Sequence, residues 1–171
     1  RGLRGLAGLV EQPGKIWWVI SAQWKLPTLE MRIADNCWRL DDGIAVAALY
    51  ACLLSMLARV RRSNQRLRIY SNMLVRENRW RGQRYGIVRV PVDFGRGQIV
   101  DYSELLEEIL EVIREDAERL DCVAEVEHAR DISSRGTSAH QQIARYTEAR
   151  EAGASEAEAL GVVVDWLADE T

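Results

Sequence analysis

The chain has 171 residues, 47% hydrophobic and 29% charged, which is enough apolar material for one buried core and too much for a disordered chain. Net charge is only −3, but residues 1–100 carry 17 Lys and Arg against 7 Asp and Glu, while residues 101–171 carry 6 against 19. Three widely spaced cysteines, Cys37, Cys52 and Cys122, with no CxxC pair, argue against a disulfide scaffold or a zinc site and read as reduced, buried thiols of a cytoplasmic protein.

Residues 1–14 are Gly-rich and contain the turn Pro13-Gly14, so they read as a lead-in. The chain starts at Arg1 rather than Met, as part of a longer product would. Ile16 to Ser21 is β-branched and aromatic, which predicts a strand. Thr28 to Ile33 alternates, with Leu29, Met31 and Ile33 on one face and Thr28, Glu30 and Arg32 on the other. Gly43 to Ala58 holds no charge over 16 residues, short of a membrane span, and predicts a helix buried all round and capped by Asp41 or Asp42.

A second helix is predicted from Asn72 to Tyr85, stopped by Gly86. Val88 to Val100, with Pro91, Gly95 and Gly97, reads as a loop with a short hairpin. Asp101 and Glu104 have the spacing of a capping box for a helix reaching about Leu120, with Leu105, Ile109, Val112 and Ile113 as its apolar stripe. Further helices are predicted from Val123 to Ser134, from Thr137 or Ser138 to just before Gly153, and from Ser155, whose box partner is Glu158. Strands followed by helices make an α+β chain: part of an antiparallel sheet of two or three strands, then a mostly helical C-terminal region. The expectation is one domain over 1–171, with sheet strands in 1–40, the buried and Arg-rich helices in 41–100 and an acidic helical region in 101–171. So few strands make a poor sheet alone, which implies a homo-oligomer or a companion N-terminal chain.

Glu30 and Arg32 project from one strand face, where a carboxylate can serve Mg²⁺ and a guanidinium a phosphoryl oxygen. The same spacing also fits a plain surface ion pair. Asp35 adds a carboxylate just past the strand. Arg59 to Arg89 holds ten arginines against Glu77 alone, yet they do not share one helical face. An anion such as ATP, or acids within the fold, suits them better than nucleic acid. Neither nucleic acid nor a membrane is the expected partner. Glu77, Arg81 and Arg84 can share charge, and Asn78, Gly82 and Tyr85 form a stripe suited to close packing. The six tryptophans read as core.

The runs Gly14-Lys-Ile-Trp-Trp, Pro27-Thr-Leu-Glu-Met-Arg-Ile-Ala-Asp35, Glu77-Asn-Arg-Trp-Arg with Arg84-Tyr-Gly86, Glu127-His-Ala-Arg130 and Gly136-Thr-Ser138 occur in this order. Together they resemble the carboxylate-amine ligase family, the type 2 glutamate–cysteine ligases of the glutamine-synthetase-like fold, in its C-terminal half. The resemblance implies an ATP- and Mg²⁺-dependent ligase that activates the γ-carboxylate of glutamate as an acyl phosphate, which an amine such as that of cysteine displaces. It implies Glu30 and Asp35 as metal carboxylates and Arg32 as the catalytic contact to the transferred phosphate of ATP, with the site completed outside this chain. The family pattern has an aspartate, an apolar residue, an arginine and a proline after Trp-Trp. Here Val19, Ile20, Ser21 and Ala22 stand there, which keeps open a catalytically impaired structural or regulatory subunit of the same fold.

Overall fold

The uncharged run from Gly43 to Ala58 forms the longest helix of the chain, α1 (Leu40–Arg62). Asp41 and Asp42 in its first turn and Arg59, Arg61 and Arg62 in its last complement the helix dipole. The structure, a computed structural model, describes residues 19–22, 26–88 and 91–171, in two units, Arg1–Asn36 and Cys37–Thr171.

In the first unit, β1 (Ile20–Ala22) and β2 (Leu29–Met31) pair antiparallel. Ile20 faces Met31, Ser21 faces Glu30 and Ala22 faces Leu29. The N–H of Arg32 extends the ladder to the Val19 carbonyl at 2.8 Å. The Pro13-Gly14 turn, Trp17, Trp18 and Trp24 lie outside the described residues.

The second unit continues through α2 (Asn72–Tyr85), a 3₁₀ turn at Gly86–Val88 and the antiparallel pair β3 (Val92–Asp93) and β4 (Gln98–Ile99). Five more helices follow: α3 (Tyr102–Arg119), α4 (Val123–Glu127), α5 (Ala129–Arg135), α6 (Ser138–Glu151) and α7 (Glu156–Glu170). Ser155 and Glu158 form the expected capping box. The helix predicted over 123–134 is instead two, divided at His128, whose backbone caps both.

The core joins Cys52 and Met56 of α1 to Leu110, Ile113 and Ala117 of α3 and to Val126 of α4. Spacings of three and four residues put the α1 pair on one helical face and the α3 trio on another. Contrary to expectation, α1 is not buried all round: Leu40 is 77% exposed, and Ile44 and Leu57 are also exposed. The helices packed on it, α3, α4 and α5, cover one side only. By length and composition alone, α1 would also suffice to cross a membrane. The α3 stripe is displaced as well. Leu110, Ile113, Asp116 and Ala117 point inward, whereas Ile109 and Val112 remain partly exposed. Trp80 and Cys37 are exposed rather than core.

The expected caps also changed roles. Arg39, not an aspartate, precedes α1, and Asp42 turns inward. Asp101 precedes α3 without a side-chain cap bond, and Glu104 pairs with Arg96 instead. Where Trp38 meets Trp166 of α7, the ring centroids are 4.8 Å apart, and Arg39 pairs with Glu170 beside them.

One carboxylate ties α1 to α3. Asp116 is fully buried and accepts from Ser55 at 2.7 Å, from Arg59 at 2.8 Å and from Arg119 at 2.8 Å. Burial raises its pKa, but the hydrogen bonds from Arg59, Ser55 and Arg119 outweigh that and hold it below the ordinary 3.8. Its contribution is therefore complete above the unfolded value and is lost as pH falls through the lower native one. Asp116→Ala should cost about 2–4 kcal/mol in denaturant unfolding, since the bonds from three partners to a buried charge vanish. Asp116→Asn, which cannot ionise, should show a flatter loss of stability below pH 4 than the parent; parallel acid-unfolding curves would refute the assignment.

Candidate functional site

In the first unit, alternation on β2 places Glu30 and Arg32 on one face. They meet: Arg32 Nη2 donates to Glu30 Oε2 at 2.8 Å, with the side chains 20% and 39% exposed respectively. That bond to Glu30 raises the Arg32 pKa, ensuring a permanent cation. Asp35 does not join them. Its Oδ1 accepts from the Asn36 N–H at 2.8 Å, just past the strand. Among the described residues, no three His, Cys, Asp or Glu side chains gather closely enough to hold a metal ion.

In the second unit, α2 starts at Ser71, which accepts from the Leu74 N–H. Glu77 and Arg81 pair at 2.9 Å, as their four-residue spacing predicts. Asn78 binds the Val92 backbone twice, donating to its carbonyl at 2.8 Å and accepting from its N–H at 3.0 Å. The side chain thus acts as an extra strand edge that fastens β3 to the helix. Gly82 lets Tyr102 approach: an added Cβ would lie 3.2 Å from its hydroxyl. Gly86 has φ +55°, and a Cβ there would lie 2.5 Å from the His140 ring. Neither backbone nor space admits a side chain. His140 in turn closes a capping box with Thr137 at the start of α6. The Arg84-Tyr-Gly86 and Gly136-Thr-Ser138 runs, fifty residues apart in sequence, therefore meet through one imidazole.

The arginine-rich segment is only partly neutralised within the fold. Arg59, Arg68 and Arg81 pair with Asp116, Glu108 and Glu77, whereas Arg61, Arg62, Arg66, Arg76 and Arg79 form no ion pair among the described residues. Between α1, α3 and β3 lies a mostly apolar cavity of about 420 Å³, lined by Leu53, Met56, Phe94, Leu105, Ile109 and Val112. This cavity explains why the predicted α3 stripe is not sealed. At its rim, Asp93 accepts from the backbone N–H groups of Arg96 and Gly95, which hold its carboxyl below the usual range despite burial.

A second cavity of about 350 Å³ lies at the start of α3, with Ser103, Glu107, Arg130, Ser133 and Ser134 on its walls. Arg130 forks onto Glu107 at 2.6 and 2.9 Å, and this pairing lowers the Glu107 pKa. Composition did not reveal this pair, because its members are 23 residues apart on different helices. Nor did it reveal the cluster at Asp42, whose Oδ1 meets His128 Nε2 at 2.9 Å and Arg135 at 2.6 Å. The sequence signal at Asp42 is an acid directly preceding a long uncharged run, which fits a helix cap equally well.

A family model described as glutamate–cysteine ligase family 2 matches residues 4–160. A protein of Rhodospirillum rubrum is 55% identical over 165 residues, covering 96% of this chain and 42% of the relative. One of Jannaschia sp. is 44% identical over 162 residues, covering 95% and 43%. One of Paracoccus denitrificans is 43% identical over 163 residues, again covering 95% and 43%. All three carry the name "Putative glutamate--cysteine ligase 2". The chain thus spans less than half the length of the curated relatives it matches. No solved structure matches it.

The clamp on β3 makes a direct prediction. Asn78→Ala removes both bonds to Val92 and should cost about 1–3 kcal/mol. The Val92 amide should lose hydrogen-exchange protection more than the α3 amides do. Equal protection in variant and parent would show that the hairpin does not depend on Asn78.

Proposed function

From the premise that this chain belongs to glutamate–cysteine ligase family 2, we propose that it supplies part of the active site of an ATP- and Mg²⁺-dependent ligase of glutamine-synthetase-like fold. In this reading the enzyme joins the γ-carboxylate of glutamate to an amine, such as that of cysteine, through an acyl phosphate. The observation that carries it is the Glu30–Arg32 pair, a carboxylate and a guanidinium side by side on one strand face at 2.8 Å.

The donor chemistry suits the group. Mg²⁺ is commonly held by one or two carboxylates together with substrate phosphates and water, so one hard oxygen donor from this strand is an appropriate contribution. Glu30 would hold the ion, and Asp35, just past the strand, would reach it as a second carboxylate by releasing the Asn36 N–H. Bound Mg²⁺ supplies neutralisation of the polyphosphate charge. Arg32 presents a planar fork to the oxygens of the phosphoryl group, and its fixed charge is complementary to the negative charge spread over them in transit. The neighbouring Glu30 restrains the Arg32 rotamer, so little reorganisation is needed when substrate arrives.

Because β1 and β2 are a two-stranded pair, the reading includes a homo-oligomer or a companion N-terminal chain that completes the sheet. A cytoplasmic setting belongs to the same reading, since three widely spaced cysteines with no CxxC pair fit a compartment that keeps thiols reduced. A second reading, a catalytically impaired subunit of the same fold, is favoured by one feature. Ser21 faces Glu30 across the ladder, where the family pattern places a cation, while Arg32 pairs with Glu30 on the same face.

The two readings separate by kinetics on the assembled protein. Arg32→Lys should lower kcat about 10²–10³-fold with little change in KM, because Lys keeps the charge but not the fork. Glu30→Gln should raise the Mg²⁺ concentration needed for half-maximal rate. Glutamate-dependent ADP release that survives both substitutions would refute the catalytic roles. A parent assembly that releases no ADP with any amine would establish the impaired subunit.

A further inference from the structure

Cys52 and Cys122 lie 70 residues apart in sequence, yet their sulfurs stand 3.5 Å apart. Cys52 sits fully buried on the core face of α1. Cys122 is partly exposed at the corner between α3 and α4, where its N–H holds the Ala117 carbonyl at 3.0 Å. Asp121 makes that corner with φ +53°, a left-handed turn that short polar residues tolerate. The corner is therefore fixed, and it delivers the thiol to one place. A disulfide needs sulfurs about 2.05 Å apart, so closure requires a movement of about 1.5 Å, within reach of a rotamer adjustment at the half-buried partner.

We propose that Cys52 and Cys122 form an intramolecular disulfide site, oxidised by a low-molecular-weight disulfide, that locks α1 to the α3–α4 corner. This assignment does not rest on the ligase reading. Cys122, the accessible member, loses its proton and attacks the small disulfide, forming a mixed disulfide and releasing one small thiolate. Cys52 then loses its proton and attacks the Cys122 sulfur, expelling the second small thiolate. In total, two protein thiols give up two electrons and two protons, and the oxidant becomes two thiols. Burial first, then the contact with Cys122, pushes the Cys52 thiol up to about 12, so its attack is the slow step and quickens as pH rises. Cys37 is exposed and open to mixed or intermolecular disulfides of its own, so the test removes it.

The test uses the whole chain with Cys37→Ser, incubated with cystine at pH 7 and pH 9, then quenched with acid, alkylated and digested. The expected result is a peptide pair linked through Cys52 and Cys122, formed faster at pH 9, with an unfolding midpoint roughly 5–15 °C above the reduced protein. Cys52→Ala should stop at a stable mixed disulfide on Cys122, while Cys122→Ala should leave Cys52 unreacted until the protein is unfolded. If Cys52→Ala fails to fold, the Cys122→Ala result and the parent's linked peptide decide. Oxidation confined to Cys122, or a linked form with an unchanged or lower midpoint, would overturn the proposal.

Discussion

The helical unit depends above all on the fully buried carboxylate of Asp116. Asp116 on α3 meets a hydroxyl and a guanidinium from α1 and a second guanidinium from its own helix. An unpaired carboxylate could not remain there, because its desolvation cost would exceed what the surrounding apolar contacts return. The pairing therefore fixes the rotation and register of α1 against α3, which apolar packing alone leaves loose. With that register set, Cys52 and Met56 fall into the layer of Ile113 and Ala117, and the corner at Asp121 brings Cys122 beneath α1. Asp42 at the other end repeats the device with His128 and Arg135, so α1 is pinned near both ends, and of the two acids Asp42 looks, in sequence, like an ordinary helix start.

Features set by neighbours in sequence were legible in advance, and features set by distant neighbours were not. Helices α2, α6 and α7 were readable because Ser71, Thr137 and Ser155 act on their own first turns and Gly86 on its own last one. The alternating strand was readable because Glu30 and Arg32 are two residues apart and must share a face. The extent of burial of α1 was not readable: apolar composition states what a helix can bury, whereas coverage depends on how many partners reach it. The same limit applies to α3, where the 3.6-residue period allows two overlapping stripes and the cavity beside Phe94 decides between them. Asp101 and Glu104 satisfied the spacing of a capping box, but Arg96 offered Glu104 a full opposite charge, which won.

The two halves of the charge distribution also acquire distinct roles. Several arginines of the first half find their counter-ions in α3: Arg59 in Asp116, Arg68 in Glu108 and Arg96 in Glu104. The lopsided sequence is thus partly a record of contacts across the fold rather than of a foreign polyanion. Among the described residues, those outside any ion pair include Arg61 and Arg62 at the end of α1, Arg66 in the loop that follows, and Arg76 and Arg79 on α2, the helix that also exposes Met73 and Trp80. A mixed surface of arginine, methionine and tryptophan is the composition that protein contacts favour.

The distances in sequence between α1 and its partners have a consequence for synthesis. The residues that hold α1 in place follow theirs by 57 to 93 positions, from Arg59 with Asp116 to Asp42 with Arg135. Chain elongation at about 5–20 residues per second leaves this helix without its covering for several seconds after it leaves the ribosome. Throughout that interval, its long uncharged stretch offers nascent-chain chaperones a binding segment. The order in which the chain is made thus places this long apolar helix ahead of α3, α4 and α5, the described helices that pack on it.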